Sequence, residues 1–373
     1  MPPVRTAIIG LGYRGSYLLK LLQAIDLYEV VAIADPSALA ALYPDVAVYN
    51  QSGEDYRRML EEQNLNLVII ASPWHLQRQQ AEDCLQAGAH IALEIKGGLH
   101  LEEYDEIIHL SRVKDLRVYP LENTLFMREV MALWQMVSAG VLGEIIHLRG
   151  GYRHDLRRLL LPAGGDREHW RAEYYHAING DIYPTHGLAP LCLVAGVGRG
   201  DRPLRLTATA SKARGLEIYA RENNQESLEP IATGDIICTQ IETERGMLIS
   251  LTHDTTLPRP KSLDYEVQGT KGIWQGDVRR IYLEGISPSQ TWESDASYIE
   301  QYRHPYWQLW GEEALSQDEH HQGMDYMMLR VLVADFIGQM SYPAGVEDLA
   351  LWCRVTPLSA YSIAERRSVD FFD

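Results

Sequence analysis

The sequence predicts two domains: an α/β domain with a doubly wound parallel sheet over residues 1–121, and an α+β domain with a mostly antiparallel, open-faced sheet over residues 122–373. In the first part, short apolar runs alternate with amphipathic helical stretches, as in βαβ units. After Glu122 the pattern changes to strand-like stretches joined by turn signals, which favours hairpins. The length of 373 residues suffices for two such domains.

The elements of the first domain follow in order. Strands are predicted at Thr6–Gly10, Val30–Ala34, Leu67–Ser72, His90–Leu93 and Arg117–Leu121. Helices are predicted between them at Ser16–Ala24, Tyr56–Gln63, Leu76–Ala87 and Leu101–Arg112. Continuous apolar strands such as residues 68–71 are typical of a parallel sheet that helices cover on both faces.

The second domain begins with a predicted helix from Leu125 to Ala139, which Gly140 ends. Strands are predicted at Glu144–Gly150, Arg205–Ala210, Ile236–Glu242, Met247–His253, Tyr265–Gln268, Gly272–Gln275 and Arg280–Leu283. The turn signals Glu244-Arg245-Gly246 and Gly269-Thr270-Lys271-Gly272 predict hairpins between neighbouring strands. Helices near Gly323–Met340 and Val346–Ser362 complete the domain.

Charge and cysteine content narrow the function classes. The 34 Lys and Arg against 51 Asp and Glu leave a formal net charge of −17, which argues against a nucleic-acid partner. No apolar run approaches the roughly 18–20 residues of a membrane span, and no leader pattern opens the chain, so we expect a cytoplasmic protein with no membrane partner.

The four cysteines, Cys84, Cys192, Cys238 and Cys353, are expected to be buried apolar residues. No local ligand spacing around His154, Asp155 and His186 supports a metal site, and none is predicted.

A glycine motif, Gly10-Leu11-Gly12-Tyr13-Arg14-Gly15, follows the first strand and opens the first helix. In a Rossmann fold such glycines allow the turn, the approach of backbone to a pyrophosphate, and helix–strand packing. The helix N-terminus offers N–H groups to the phosphates. Asp35 ends the second strand about 20 residues after Gly15, where a carboxylate binds ribose hydroxyls and repels a 2′-phosphate. The motif predicts NAD(H) rather than NADP(H), the alternative being a plain Asp-Pro turn at Asp35.

Ligands of such sheets lie at the carboxyl ends of the strands. This position singles out Ser72-Pro73-Trp74-His75 and the segment Glu94-Ile95-Lys96 as further cofactor-binding candidates. Packing for Trp74 and a place beside a helix cap for His75 remain equal alternatives.

Residues 169–187 are dense in groups that can transfer protons. Asn179-Gly180-Asp181 resembles a helix cap, so a helix is predicted from Ile182 onward, with Tyr183 and His186 on one face. A phenol and an imidazole in one pocket form a candidate acid/base pair. A second cluster, Tyr152-Arg153-His154-Asp155, follows a strand and places Tyr152 and His154 on the same side. Ordinary structural roles for these side chains remain open.

The chain resembles the Gfo/Idh/MocA oxidoreductase family, and most of all the NAD-dependent glycosidases of glycoside hydrolase family 109. The resemblance covers nearly the whole chain. It is carried by Gly10–Gly15, residues 72–74, 121–123, 140–145, 151–157, 179–187, 253–260 and 268–272, of which NGDIYPTHG at 179–187 is the most specific. The sequence departs from the family at Glu94-Ile95-Lys96, where the broad family often has E-K-P, and at Lys261, where the glycosidases commonly have an aromatic residue. The loop after Leu159 is also shorter.

The resemblance implies roles for single residues. Tyr183, His186 and Tyr152 match the catalytic group, and Glu122, Arg171, His154 and Asp155 are expected to bind the sugar. Asn123 joins the cofactor-binding candidates Gly10, Gly12, Tyr13, Arg14, Gly15, Asp35, Ser72, Pro73, Trp74, His75, Glu94 and Lys96. The implied partner is a small sugar or glycoside, and the open sheet face is expected to form a homo-oligomer.

The resemblance implies a glycosidase that oxidises C3 of the sugar transiently, eliminates the glycosidic bond, adds water and reduces C3 again. Two alternatives stay open: an NAD-dependent sugar or polyol dehydrogenase, which needs the same site and the same base, and a non-catalytic NAD-binding regulator. The tyrosines and histidines weigh against the regulator, because a regulator needs no proton acceptor beside the nicotinamide.

Overall fold

The computed structural model describes residues 2–161, 169–223 and 229–372. The chain divides into two compact units. The first comprises Met1–Ile95, Glu102–Met127 and His304–Leu349, and the second comprises Lys96–Leu101, Arg128–Arg303 and Ala350–Asp373. Residues 304–349 thus pack with the first unit, beyond the expected 1–121 domain, since their helix at 324–336 packs against the first helix of the chain.

The helices and strands follow one another in three stretches. The first holds β1 (Val4–Ile9), α1 (Tyr13–Gln23), β2 (Tyr28–Ala34), β3 (Ala47–Tyr49), α2 (Asp55–Glu62), β4 (Leu67–Ile70), α3 (Trp74–Gln86), β5 (His90–Leu93), α4 (Asp105–Lys114) and β6 (Val118–Pro120). The second holds α5 (Arg128–Ser138), β7 (Ile145–Arg153), α6 (Arg157–Leu160), α7 (Ala172–Ala177), α8 (Thr185–Ala195), β8 (Pro203–Ala210), α9 (Gly215–Glu222), β9 (Ile236–Thr243), β10 (Leu248–Asp254), β11 (Glu266–Gly269), β12 (Gly272–Gln275), β13 (Arg280–Leu283), β14 (Glu293–Ser294) and α10 (Ala296–Gln301). The third holds α11 (Pro305–Gln317), α12 (Met324–Phe336), α13 (Val346–Cys353), α14 (Val355–Glu365) and β15 (Val369–Asp370), and short 3-10 turns lie at Ala40–Leu42 and Asn123–Phe126.

The first unit contains a parallel sheet with the strand order β3-β2-β1-β4-β5-β6. The order reverses at β1 and β4, so the sheet is doubly wound, and the predicted fold class is confirmed. All four residues of β4 are buried, as continuous apolar strands require. The carboxyl ends of β1 and β4 mark the switch point, where such sheets bind ligands.

The second unit contains a sheet whose nine strands, counted within the described ranges, run β14-β13-β12-β11-β7-β10-β9-β8-β15. Its pairs are antiparallel except β7 with β10, which confirms the mostly antiparallel prediction. The two predicted hairpins are present, as β9–β10 and β11–β12.

Two predicted helices differ from the structure. The helix predicted from Leu125 begins at Arg128, because residues 123–126 form a 3-10 turn whose Phe126 carbonyl accepts the Trp307 indole N–H at 3.0 Å. The helix predicted over Val346–Ser362 is two helices, α13 and α14. Pro357 has no N–H for the Cys353 carbonyl, which accepts the Gly98 N–H at 3.2 Å instead.

Cys84, Cys192 and Cys353 are buried as expected, but the expectation was wrong for Cys238, which is exposed. It lies on β9, whose residues alternate between a buried and an exposed face, and it falls on the exposed one. In the described ranges no helix has both the length and the apolar character of a membrane span.

The pH dependence of stability can be predicted from His304, whose Nδ1 accepts the Tyr306 N–H at 3.2 Å at the start of α11. Burial lowers the pKa of His304 to about 4. Since the unfolded imidazole titrates near ~6.5, its stabilising contribution is present above that pH and is lost as pH falls toward the folded value, up to about 3 kcal/mol. We expect His304→Asn, which keeps the cap, to lose less stability than wild type between these pH values in urea titrations. Equal losses in both proteins would contradict the assignment.

Candidate functional site

In the glycine turn between β1 and α1, Gly10 and Gly15 are tightly packed, whereas Gly12 faces open space. Gly10 has a φ of +89°, and a Cβ there would lie 2.7 Å from the Ser72 nitrogen. At Gly15 a Cβ would lie 1.9 Å from the Gly10 carbonyl oxygen. At Gly12, the N-cap of α1, a Cβ would meet nothing within 4 Å in the described chain. The turn therefore leaves room for a phosphate at the helix N-terminus, and it fits a dinucleotide.

Asp35 lies beside the same turn. Its Oδ2 accepts the Leu11 N–H at 2.6 Å, and its Oδ1 accepts the Ser37 N–H at 2.7 Å and hydroxyl at 2.5 Å. The carboxylate is half-buried at the end of β2. The carboxylate forms an Asx-type turn with Ser37 and also lies next to the open glycine. The turn is therefore compatible with a ribose-binding role.

The segment after β4 provides residues with different environments. The Ser72 hydroxyl is buried and donates to the Gln80 side chain, and Pro73 is the N-cap of α3. Trp74 is buried at the first position of α3, which agrees with packing, whereas His75 is exposed. Of these four, the side chain of His75 is the most accessible to a ligand.

Arg14 is held inside the first unit by two carboxylates. Its Nε donates to Glu94 Oε1 at 2.9 Å, and its Nη1 and Nη2 donate to Asp325 at 3.1 and 2.9 Å. Burial raises the pKa of Asp325, but Arg14 and His321 outweigh this and hold it far below the usual range. Arg14 therefore joins the glycine turn to β5 and α12. Asp325, which the sequence analysis did not single out, is the centre of this cluster.

Asn123 belongs to the same cluster, because its Nδ2 donates to Asp325 Oδ1 at 3.0 Å. Its Oδ1 is buried and accepts no hydrogen bond from any described residue, so a ligand donor would satisfy it. Glu122 is fully buried and caps the 3-10 turn, accepting from the Thr124 N–H at 3.2 Å and hydroxyl at 2.6 Å. Tyr13 is 68% exposed, and its hydroxyl lies 3.1 Å from His320 Nε2.

Among the described residues, Asp318, His321 and Asp325 bring three potential metal ligands within 4.8 Å of one another. Asp318 Oδ2 accepts the N–H groups of Asp325 and Tyr326 at 2.8 and 3.3 Å. The Arg14 guanidinium already balances the charge of Asp325. We therefore describe the cluster as a hydrogen-bonded start of α12 and assign no ion to it.

In the second unit, an aromatic cluster gathers the three predicted catalytic side chains. The Tyr152 ring, on β7, lies 4.5 Å from the Tyr183 ring and 5.5 Å from the His186 ring, centroid to centroid. The Tyr183 and His186 rings are 5.1 Å apart. His186 is half-buried, and both tyrosines are 7–9% exposed.

The prediction that Tyr183 lies in a helix with His186 was wrong. Helix α8 begins at Thr185 with Pro184 as its N-cap. The residue before a proline is disfavoured in the α region, so Tyr183 stays outside the helix. The Tyr183 and His186 rings lie 5.1 Å apart although Tyr183 precedes the helix, so helical i, i+3 spacing does not explain their contact.

Of the four other predicted residues of this unit, His154 and Arg171 lie beside the aromatic cluster. Asp155 and Lys96 have other partners. The His154 ring lies 6.3 Å from Tyr152, and burial, then Lys261, lowers its pKa. The Arg171 guanidinium lies 5.4 Å from the centre of the Tyr183 ring, a cation–π distance. Asp155 accepts from Arg157 at 2.9 and 2.8 Å, and these hydrogen bonds lower its pKa. Lys96 is fully buried, and its carbonyl accepts the Cys353 thiol at 3.3 Å. The loop after Leu159 includes residues 162–168, which lie outside the described residues.

Sequence reasoning missed two polar residues behind the aromatic cluster, His253 and Asp181. His253, on β10, is the register partner of Tyr152 on β7, and their rings are 6.2 Å apart. His253 Nδ1 lies 3.5 Å from Asp181 Oδ1. The spacing of His253 and Thr255 in an extended strand, which places both on one face, could have drawn attention to them.

Each unit gathers its own set of candidate groups. Two phenols and an imidazole lie together in the second unit, and an open glycine, a helix N-terminus and a carboxylate lie together in the first. The groups of the second unit suit general acid–base chemistry, and those of the first suit a dinucleotide.

Comparison with known proteins gives consistent results. Residues 126–373 match the family model "Glycosyl hydrolase 109, C-terminal domain", and residues 4–121 match "Oxidoreductase family, NAD-binding Rossmann fold". The chain is 35% identical to a glycosyl hydrolase family 109 protein of Stenotrophomonas maltophilia, over 97% of this chain and 86% of that protein. It is 32% identical to an α-N-acetylgalactosaminidase of Tannerella forsythia, over 88% and 75% of the two chains.

Solved structures show the same fold at low sequence identity. An NAD-binding oxidoreductase from Klebsiella pneumoniae is 16% identical, with a TM-score of 0.77 over 100% of this chain and 99% of that one. A probable dehydrogenase from Thermotoga maritima is 18% identical, with a TM-score of 0.72 over 99% of both chains.

Proposed function

Because the chain belongs to the glycosyl hydrolase 109 family, with a Gfo/Idh/MocA-type NAD-binding domain, we propose that it cleaves glycosides by transient oxidation of the sugar at C3. The family predicted from the sequence motifs is confirmed, as is the broader prediction of an NAD-dependent sugar-processing enzyme. The observation that carries the proposed mechanism is the aromatic cluster, in which two phenols and an imidazole lie within 5.5 Å of one another, centroid to centroid.

The cofactor residues of the first unit support NAD⁺. Gly12 leaves the space for a pyrophosphate, and Asp35 supplies a carboxylate beside the turn. These residues would hold NAD⁺, which would supply the reversible hydride acceptor for C3. We assign the preference for NAD⁺ over NADP⁺ to Asp35, because its charge opposes a 2′-phosphate.

We assign to His186 the transfer of the 3-hydroxyl proton. Its imidazole can take that proton as C3 is oxidised and give it back as C3 is reduced. The main chain at this point is held independently of the imidazole, since the His186 carbonyl accepts the Tyr265 hydroxyl.

We assign to Tyr152 and Tyr183 the removal of the proton at C2, which the C3 ketone makes acidic. Removal of that proton allows the glycosidic bond to break by elimination, with the electron pair leaving on the aglycone oxygen. Water then adds to the unsaturated sugar, with its oxygen bonding to C1 and its proton going to the aglycone oxygen, and C2 regains a proton from the same phenol after that phenol has exchanged with solvent. This route does not use the pair of carboxylates on which most glycosidases depend.

The remaining candidates are assigned to binding. We assign to Arg171, whose guanidinium stacks on Tyr183, and to His154, whose ring lies beside Tyr152, the donation of hydrogen bonds to sugar oxygens. We assign Glu122 and Asp155 a supporting part, because each already holds its own neighbours by hydrogen bonds.

We further propose that the exposed face of the second sheet forms a homo-oligomer. Leu248 of β10 is 46% exposed and shares a face of the sheet with the exposed Cys238 of β9. Such apolar groups outside a core favour association.

The open glycine gives a direct prediction for cofactor binding. We expect Gly12→Ala to fold with near wild-type stability, because its Cβ meets no described atom, and to bind NAD⁺ at least about 10-fold more weakly, because the methyl takes the space of the pyrophosphate. Calorimetric titration with NAD⁺ and thermal unfolding provide the two measurements. Gly15→Ala is the matched control. Its Cβ must clash with Gly10, so we expect its thermal stability to fall below that of Gly12→Ala. Unchanged affinity in Gly12→Ala would contradict the assignment.

A screen of aryl glycosides tests the proposed function, beginning with the α-N-acetylgalactosaminide that the name of the Tannerella relative suggests. Aglycone release and absorbance at the NADH band are followed together, with and without added NAD⁺. We expect release that requires NAD⁺ and leaves no stoichiometric NADH. Net NADH from a free sugar, without aglycone release from any glycoside, would instead identify a dehydrogenase.

A further inference from the structure

Behind the aromatic cluster, four side chains of the second unit form a buried polar chain: Tyr175, Thr255, His253 and Asp181. The Tyr175 hydroxyl lies 2.7 Å from Thr255 Oγ1, and Thr255 Oγ1 lies 3.2 Å from His253 Nε2. His253 Nδ1 in turn faces Asp181 Oδ1 at 3.5 Å. All four residues are at most 2% exposed.

Stability alone is a weak reason for this buried polar chain. Burying a carboxylate and an imidazole carries a desolvation penalty, and apolar residues of similar size often serve a core equally well. The main chain at Asp181 does not depend on its carboxylate. Its N–H donates to Ser359 Oγ at 2.9 Å, and its carbonyl accepts the Thr356 hydroxyl at 2.7 Å.

The buried polar chain instead leads to the two tyrosines of the aromatic cluster. Asp181 Oδ1 accepts the Tyr183 N–H at 3.3 Å, at the point where the chain turns before Pro184. The His253 ring packs beside the Tyr152 ring at 6.2 Å, with an interplanar angle of 34°. One end of the Asp181–His253 pair thus contacts the backbone of one tyrosine, and the other contacts the ring of the second.

We propose that Asp181 and His253 are positioning residues, which hold Tyr183 and Tyr152 in the orientation that lets their phenols reach the substrate. Asp181 lies against Nδ1 of His253 and accepts the backbone N–H of Tyr183, and Thr255 contacts the far nitrogen of His253. The inference rests on the proposed roles of the two tyrosines. Neither residue is assigned a contact with the substrate.

Two substitutions at Asp181 separate its contributions. Asp181→Asn keeps an oxygen for the Tyr183 N–H and removes the charge that faces His253, whereas Asp181→Ala removes both. We expect kcat to fall about 10-fold in Asp181→Asn and about 100-fold in Asp181→Ala, with KM within about 2-fold of wild type, since misplacement of a reacting group lowers the rate more than binding. His253→Gln should resemble Asp181→Asn.

Asp235→Asn is the matched control, because Asp235 is another buried carboxylate of this unit. It accepts the N–H groups of Arg214 and Gly215 at 2.8 and 2.9 Å, and the Thr256 hydroxyl at 2.6 Å, and none of these donors belongs to either tyrosine. We expect it to lower the melting temperature and leave kcat of the folded enzyme unchanged. Wild-type kcat in folded Asp181→Asn and His253→Gln would overturn the proposal.

A readout without substrate separates this proposal from the proposed function. In protein labelled with 13C at tyrosine Cζ, Tyr152→Phe and Tyr183→Phe identify the two resonances. We expect both to shift in ligand-free Asp181→Asn and to stay in place in Asp235→Asn. Unshifted resonances would overturn the positioning role. If they shift while the wild-type enzyme cleaves no glycoside, the proposed function fails and the positioning role stands.

Discussion

His186→Ala should lower kcat by about 10²–10⁴-fold, the usual effect of removing a positioned general base. NAD⁺ binding and thermal stability should stay near wild type. The carbonyl of residue 186 would still accept the Tyr265 hydroxyl, so the start of α8 keeps its anchor. Steady-state kinetics on the best glycoside of the screen, together with a thermal unfolding curve, provide the measurement.

A histidine with only a structural role would give the opposite pattern. Stability would fall by about 1–3 kcal/mol for a lost buried hydrogen bond, and the folded fraction would keep its specific activity. Tyr183→Phe is the companion variant, since it deletes the hydroxyl and preserves the ring that packs 4.5 Å from Tyr152 and 5.1 Å from His186. Full activity in both folded variants would show that the site lies elsewhere.

Asp325→Asn should cost about 3–5 kcal/mol of stability, because it breaks a buried ion pair and leaves the Arg14 guanidinium with Glu94 as its remaining partner. The Asp325 side chain has 0% exposure, so solvent does not replace the lost charge. Cofactor affinity should fall as well, because Arg14 and Asn123 lose the carboxylate that orients them. Urea unfolding and NAD⁺ titration measure the two effects.

The control for this variant is Glu29→Gln, which removes the exposed Arg5–Glu29 pair at 3.6 Å. Its two side chains are 37% and 49% exposed, so we expect a loss below about 1 kcal/mol. Equal stability of Asp325→Asn and wild type would contradict the central place given to Asp325.

Local pattern was enough to predict the doubly wound sheet. The apolar runs, the glycine motif and the acidic residue Asp35 are signals that can each be recognised from a few neighbouring residues, and the structure places Asp35 against the Leu11 N–H of that motif. Strand β3 was not predicted, because Ala47–Tyr49 has three residues, too few to show a periodicity. The aromatic helix α11, from Pro305, has apolar residues on several faces and so lacks a clear helical stripe.

The candidate site shows a different limit. Tyr152, Tyr183 and His186 could be found because their motifs are short and dense, but their distances could not, since Pro184 and the pairing of β7 with β10 decide them. Asp325 and His253 lie 311 and 101 residues from Arg14 and Tyr152, respectively. No local pattern connects positions so far apart, so only the fold reveals those contacts.

The most direct test of the proposed mechanism follows the hydrogen at C2 of the sugar. The glycoside of the screen is turned over in deuterated water, and the released sugar is examined by NMR and mass spectrometry. If Tyr152 or Tyr183 removes the C2 proton and returns one from solvent, the product carries deuterium at C2, with no accumulation of NADH. A product that keeps its original C2 hydrogen through many turnovers would contradict elimination, and with it the assignment of both phenols.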